Sequence, residues 1–133
     1  EKYGTNEHHA TDVIVREIGV SEVVRGLIQG MGFGKSTDVL HEGNIALCAV
    51  EYADQRVGPH GVLSLEERIV DGNRRYAGRY GQTTPNEADQ YLENIEALKE
   101  IERELMRRAN LEAEAITDHA ILPIVEELRT FTI

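Results

Sequence analysis

The chain has 133 residues and a formal net charge of −10, from 24 acidic and 14 basic side chains. That length suits one domain with a real core, and a hydrophobic content of 41% excludes a disordered chain. The acidic balance excludes broad non-specific nucleic-acid binding, which needs a basic footprint, and it disfavours anionic membrane surfaces; its plainest consequence is solubility.

No apolar run reaches the roughly 20 residues of a membrane span. The single cysteine, Cys48, cannot form an internal disulfide and fits a reducing compartment, so the expected location is cytoplasmic. Cys48 lies in the apolar run Ile45 to Val50 and reads as a small buried hydrophobe.

In chain order the periodicity is helical. Thr5 or Asn6 can cap a first helix with Ala10, Val13, Ile14 and Ile18 on one face, ended by Gly19. Ser21 caps a second, carrying Val23, Val24, Leu27 and Ile28 and running out at Gly30 and Gly32. A polar loop is expected over residues 34–43. A third helix, residues 44–57, is almost wholly apolar until Glu51 and is expected to be central.

Gly58-Pro59-His60-Gly61 reads as a turn. Ser64 and Glu67 make a capping box for a helix over residues 65–80. Thr84-Pro85-Asn86-Glu87 is the strongest local signal: an N-cap, a proline at the first helical position and a closing glutamate. The helix behind it carries Ala88, Tyr91, Leu92, Ile95, Leu98, Ile101, Leu105 and Ala109 as a 3.6-residue stripe. That stripe, in helix 85–109, offers a homo-oligomer contact, although packing on its own domain is the simpler expectation. A last helical segment over 112–129 meets Pro123, which interrupts or kinks it. Two β signals, Gly61-Val62-Leu63 and Thr130 to Ile133, are too short to build a sheet. The expected class is all-α.

One stretch, "GMGFGKST" at residues 30–37, looks like a phosphate-binding loop. The pattern G-x-x-x-x-G-K-[ST] puts its first glycine at position 29, which is Gln29, and Gly30 comes one residue late. The stretch also follows a helix where a strand is required, and Asp38, Glu42 and Gly43 promise a poor helix behind it. It reads instead as a glycine-rich helix end. Lys35 remains a point charge able to meet a substrate phosphate.

Metal and nucleophile patterns are scarce. The five histidines, His8, His9, His41, His60 and His119, form no H-x-x-x-H or H-E-x-x-H pair. The acid-rich helices, with Glu93, Glu96, Glu100, Glu102, Glu104, Glu112 and Glu114, lack the Glu-x-x-His pairs of a di-iron bundle and read as solvated faces with Lys99, Arg103, Arg107 and Arg108.

Two segments together resemble the back half of HD-superfamily domains, the metal-dependent phosphohydrolases. One is "HHATDVIVREIGVSEVVRGLIQGMGFG", residues 8–34; the other is "ALCAVEYADQRVGPHGVLSLEERIVDGNRRY", residues 46–76. The likeness spans about residues 5 to 80. It implies a partial HD-like helical bundle at 1–80, followed by a C-terminal helical hairpin at 81–133 packing on it as a single domain.

It also implies an enzyme hydrolysing a nucleotide or another phosphate ester. Asp54, in the Tyr52-Ala53-Asp54 context, matches the family's final metal-ligand aspartate. A carboxylate at the buried end of an apolar helix is costly unless paired or bound to a cation, which points the same way. The alternative is an exposed Asp54 paired with Arg56. His9 lies two residues from the position of an early family histidine, and a solvated helix-start histidine competes with that role. Lys35 and Arg56 are the candidate substrate-binding cations.

The family's His-Asp dipeptide and first histidine are absent from these residues; the nearest match, Asp118-His119, is reversed. The helix carrying them is expected before Glu1, so the chain reads as a portion of such a domain or a degenerate member. A divalent ion (Mn, Mg, Fe or similar) is expected only in an intact domain, and this chain alone is expected to be inactive. The competing expectation is a non-catalytic helical interaction or dimerisation module on the same scaffold.

Overall fold

The computed structural model describes residues 6–76 and 84–132. These residues are all-α: seven α-helices and one hairpin of two-residue strands. None of the described helices is long and apolar enough to cross a membrane.

Helix α1 spans Glu7–Glu17, and its Asn6 cap accepts the His9 backbone N–H at 3.1 Å. Helix α2 spans Glu22–Gly30 under Ser21, whose Oγ accepts the Val24 N–H. A single 3₁₀ turn, Phe33–Lys35, leads directly into α3, Ser36–Glu42. The polar loop expected over 34–43 is therefore mostly helix. Tertiary burial overrides weak propensity there: Val39 is 1% exposed and Ser36 is fully buried.

Helix α4, Ile45–Arg56, begins where Asn44 Oδ1 accepts the Ala46 and Leu47 N–H groups. It buries Leu47, Cys48, Glu51, Tyr52, Gln55 and Arg56, while Ile45, Ala46 and Ala49 face out. It is central, as its composition suggests, but half its inward face is polar. Strands β1 (Val57–Gly58) and β2 (Gly61–Val62) pair antiparallel through the turn between them. Helix α5, Leu65–Tyr76, follows the Ser64–Glu67 capping box; the expected continuation to residue 80 lies outside the described residues.

Helix α6, Pro85–Ala109, carries the full capping box: Thr84 N–H donates to Glu87 at 2.8 Å and Glu87 N–H donates to Thr84 Oγ1. The Thr84 backbone N–H, and then its hydroxyl, hold the Glu87 carboxyl below the usual carboxylate range. A depressed carboxylate contributes above its ordinary value, so this cap is lost as pH falls through the lowered one. The segment after α6 holds a 3₁₀ turn, Ala113–Ala115, and then α7, Asp118–Thr130, with Pro123 inside it. Phe131 and Thr132 add no strand.

The core gathers Val39, Leu47, Cys48, Tyr52, Leu65, Leu98 and Ile101, with Leu27, Phe33, Leu105, Met106 and Ile116 packed on it. Helix α6 lies along α3 and α4, and α2 and α5 also pack on α4. The glycine at position 30 lets α2 approach closely, since a Cβ there would sit 2.8 Å from Leu47 Cδ1. Helix α7, by contrast, buries none of its residues.

The stripe on α6 holds from Ile95 to Leu105, with Tyr91 half-buried against Phe33, while Ala88, Leu92 and Ala109 are exposed. Asn94, Ala97, Leu98 and Ile101 are buried, whereas Leu92 is 58% exposed. The middle of the face offered for homo-oligomer contact is therefore used within the chain. Ile101→Ala should lower unfolding free energy by about 2–5 kcal/mol, and Leu92→Ala by no more than about 0.5 kcal/mol. Urea titration of the two variants checks this; equal losses would mean a different rotation of α6.

Candidate functional site

Helix α4 positions most of the candidate chemistry. With Leu47, Cys48, Glu51, Tyr52 and Gln55 turned inward, the helical period turns Ala53 and Asp54 out. Asp54 is exposed, so the burial argument for a ligand does not hold. Nor does the alternative pairing: its Oδ2 accepts from Gln55 Nε2 at 2.9 Å, and Arg56 points elsewhere.

Arg56 is 5% exposed, and all three of its guanidinium nitrogens donate within the fold. Nε binds the Leu63 carbonyl, and Nη1 binds the Tyr52 hydroxyl and lies 3.4 Å from Glu102. Nη2 reaches the carbonyls of Ala113 (3.3 Å) and Ile116 (3.0 Å). Arg56, expected to bind substrate, has its donors engaged within the fold: a buried guanidinium needs every donor met, and chain segments meet them here. The Tyr52 hydroxyl donates to Glu102 at 2.7 Å, and burial, then the Glu102 carboxylate, push it well above an ordinary phenol.

A second polar node lies one turn earlier on α4. Glu51 is fully buried, and its two carboxylate oxygens accept the Gly32 N–H (2.5 Å) and the Ser36 hydroxyl (2.8 Å). Gly32 sits at φ +133, a conformation that side chains rarely adopt. Two donors of the glycine loop, one backbone N–H and one hydroxyl, thus meet a carboxylate of its own chain. The loop does open a helix, α3, contrary to expectation, but it follows α2. Lys35, exposed, donates its ammonium to the Gln29 carbonyl near the end of α2, a favourable place for a cation.

His9 is exposed on the first turn of α1. Among the described residues, no three His, Cys, Asp or Glu side chains group to hold a metal ion, so Asp54 and His9 are not joined by further ligands. A cleft of about 430 Å³ opens between the hairpin, the start of α5 and residues 113–119. Of the four predicted site residues, Arg56 alone lines it; Glu67, Glu102, Asp118 and His119 add polar walls.

Sequence reasoning missed Glu51 and Glu102. The available signal for Glu51 was a lone charge in register with Leu47, Cys48, Tyr52 and Gln55. Glu102 was hidden among the solvated acids of α6.

Fold and nodes define an all-α helical protein built on a polar-lined central helix. No family model, no curated protein and no solved structure matches this chain.

Glu51→Ala should destabilise by at least about 2 kcal/mol, because it strands two donors. Glu100→Ala, on the exposed face, should change stability by no more than about 0.5 kcal/mol. Denaturant unfolding checks the pair, and equal small effects would remove Glu51 from the loop's support. Cys48 gives a second check: it is buried, and burial raises its thiol. At pH 8 native protein should react with a thiol reagent at least about tenfold more slowly than urea-unfolded protein.

Proposed function

We propose that this chain is the helical portion of an HD-type metal-dependent phosphohydrolase that carries the family's final aspartate, here Asp54. The substrate class is a nucleotide or another phosphate ester. The observation that carries it is the state of Asp54: an exposed carboxylate at the end of the central helix, held by Gln55 and not neutralised by Arg56. A free Cys48 accords with a cytoplasmic setting.

The described residues do not by themselves fit a divalent ion, because Asp54 has no grouped partner ligands. Hydrolysis on this reading requires histidine and aspartate ligands from outside them. Lys35 keeps a place as an exposed cation for substrate phosphate, and His9 as an exposed imidazole; Arg56 lines the cleft with its donors engaged by the chain.

A non-catalytic helical interaction module is the second reading. It is favoured by α7, a helix with no buried residue that leaves Leu122, Ile124 and Leu128 more than half exposed.

Metal content and phosphate release from a nucleotide panel with Mn²⁺ or Mg²⁺, measured on the full-length protein, separate the two. The hydrolase reading expects co-purifying metal and a loss of at least about 100-fold in activity on Asp54→Asn, since even groups that only support a metal ligand are worth 10–100-fold. Thermal unfolding should be unchanged, because Asp54 is at the surface. Absent metal and absent turnover would leave the interaction module, whereas activity that survives Asp54→Asn would remove Asp54 from the site.

A further inference from the structure

The C-terminal segment differs from the rest of the molecule in how it is held. It starts after Asn110, the C-cap of α6 and the one described non-glycine residue in the left-handed region, at φ 51. Beyond it, the described attachments are few and mostly polar. Arg56 Nη2 grips the carbonyls of Ala113 and Ile116, and Ile116 is half-buried against the core. Asp118 Oδ1 accepts the Val62 N–H at 3.0 Å, and its carboxylate sits directly over Gly61 in the hairpin. Past Asp118, α7 buries nothing.

We infer that residues 111–132 form a hinged strap, latched by Arg56 and Asp118, that gates the cleft beneath it. Closed, the strap supplies one wall of the 430 Å³ cleft through Ala113, Ile116, Thr117 and His119. Swung away about Asn110, it removes that wall and frees Arg56 Nη2, whose two acceptors both belong to the strap. Opening sacrifices few apolar contacts, which places this segment at the low-stability end of the molecule. Helix α6, packed on α3 and α4 through Leu98 and Ile101, lies at the other end. The gate holds whether or not Asp54 serves a metal.

Native-state amide hydrogen exchange on this chain tests it, because Val62 N–H is itself protected by the latch. The amides of Val62 and of α7 should exchange together, at least about 100-fold faster than that of Ile101. Asp118→Ala should accelerate the α7 amides by about tenfold and leave Ile101 unchanged. Three results overturn the strap: α7 amides as slow as Ile101 in the unaltered protein, an Asp118→Ala variant whose α7 exchange is unchanged, or one in which α6 and α7 accelerate equally. The first comparison needs no variant, so a poorly folding Asp118→Ala still leaves a decisive measurement.

Discussion

Two opposite charges buried on one helix organise this molecule, and they do not pair with each other. Glu51 and Arg56 both lie on the inward side of α4, at 0% and 5% exposure. A buried charge without partners is among the most expensive features a fold can carry. Each of these is met mainly by groups from elsewhere in the chain. Glu51 draws in the loop before α3, and Arg56 draws in the hairpin, α6 and the segment after it. Helix α4 thus acts as a post whose polar side chains fix where its neighbours lie, while Leu47, Cys48 and Tyr52 provide the apolar contact.

This arrangement explains why local features were legible in the sequence and tertiary ones were not. Caps are local: Asn6, Ser21, Ser64 and Thr84 each bond a backbone N–H three residues ahead, and their residue types announce it. Helix α3 was not legible, because its stability comes from burying Val39 and from Thr37 donating to Asn94 Oδ1 at 2.9 Å, fifty-seven residues away. Asn94 itself interrupts the apolar stripe of α6, yet it is 3% exposed. A polar residue on an apolar face reads as an edge until its partner is known.

The candidate site divides along the same line. Asp54 entered through the Tyr52-Ala53-Asp54 resemblance, and the period of α4 alone would have placed it outward. Arg56, two residues on, looked like its partner, but the chain leaves the helix there and turns into the hairpin. That turn carries Arg56 under Leu63 and toward residues 113–116. Nothing within ten residues of Arg56 hints at acceptors this remote. Proximity in sequence is a poor guide for a long cationic side chain, whose planar fork selects whatever fixed carbonyls converge on it.

The glycine loop shows how similar demands produce similar sequences. A phosphate cradle needs glycines so that backbone N–H groups can converge on an anion. This loop needs glycine for the same physical reason, with the anion supplied internally: Gly32 N–H and Ser36 Oγ converge on Glu51. The arc is built around a two-oxygen carboxylate fixed on α4, which is smaller than a phosphate and already bonded to the backbone beside it. Ser36, donating to Glu51, ties α3 to α4, while Lys35 donates to the Gln29 carbonyl. In this chain the glycine stretch that resembles a phosphate cradle brings two donors to a carboxylate carried by the helix behind it.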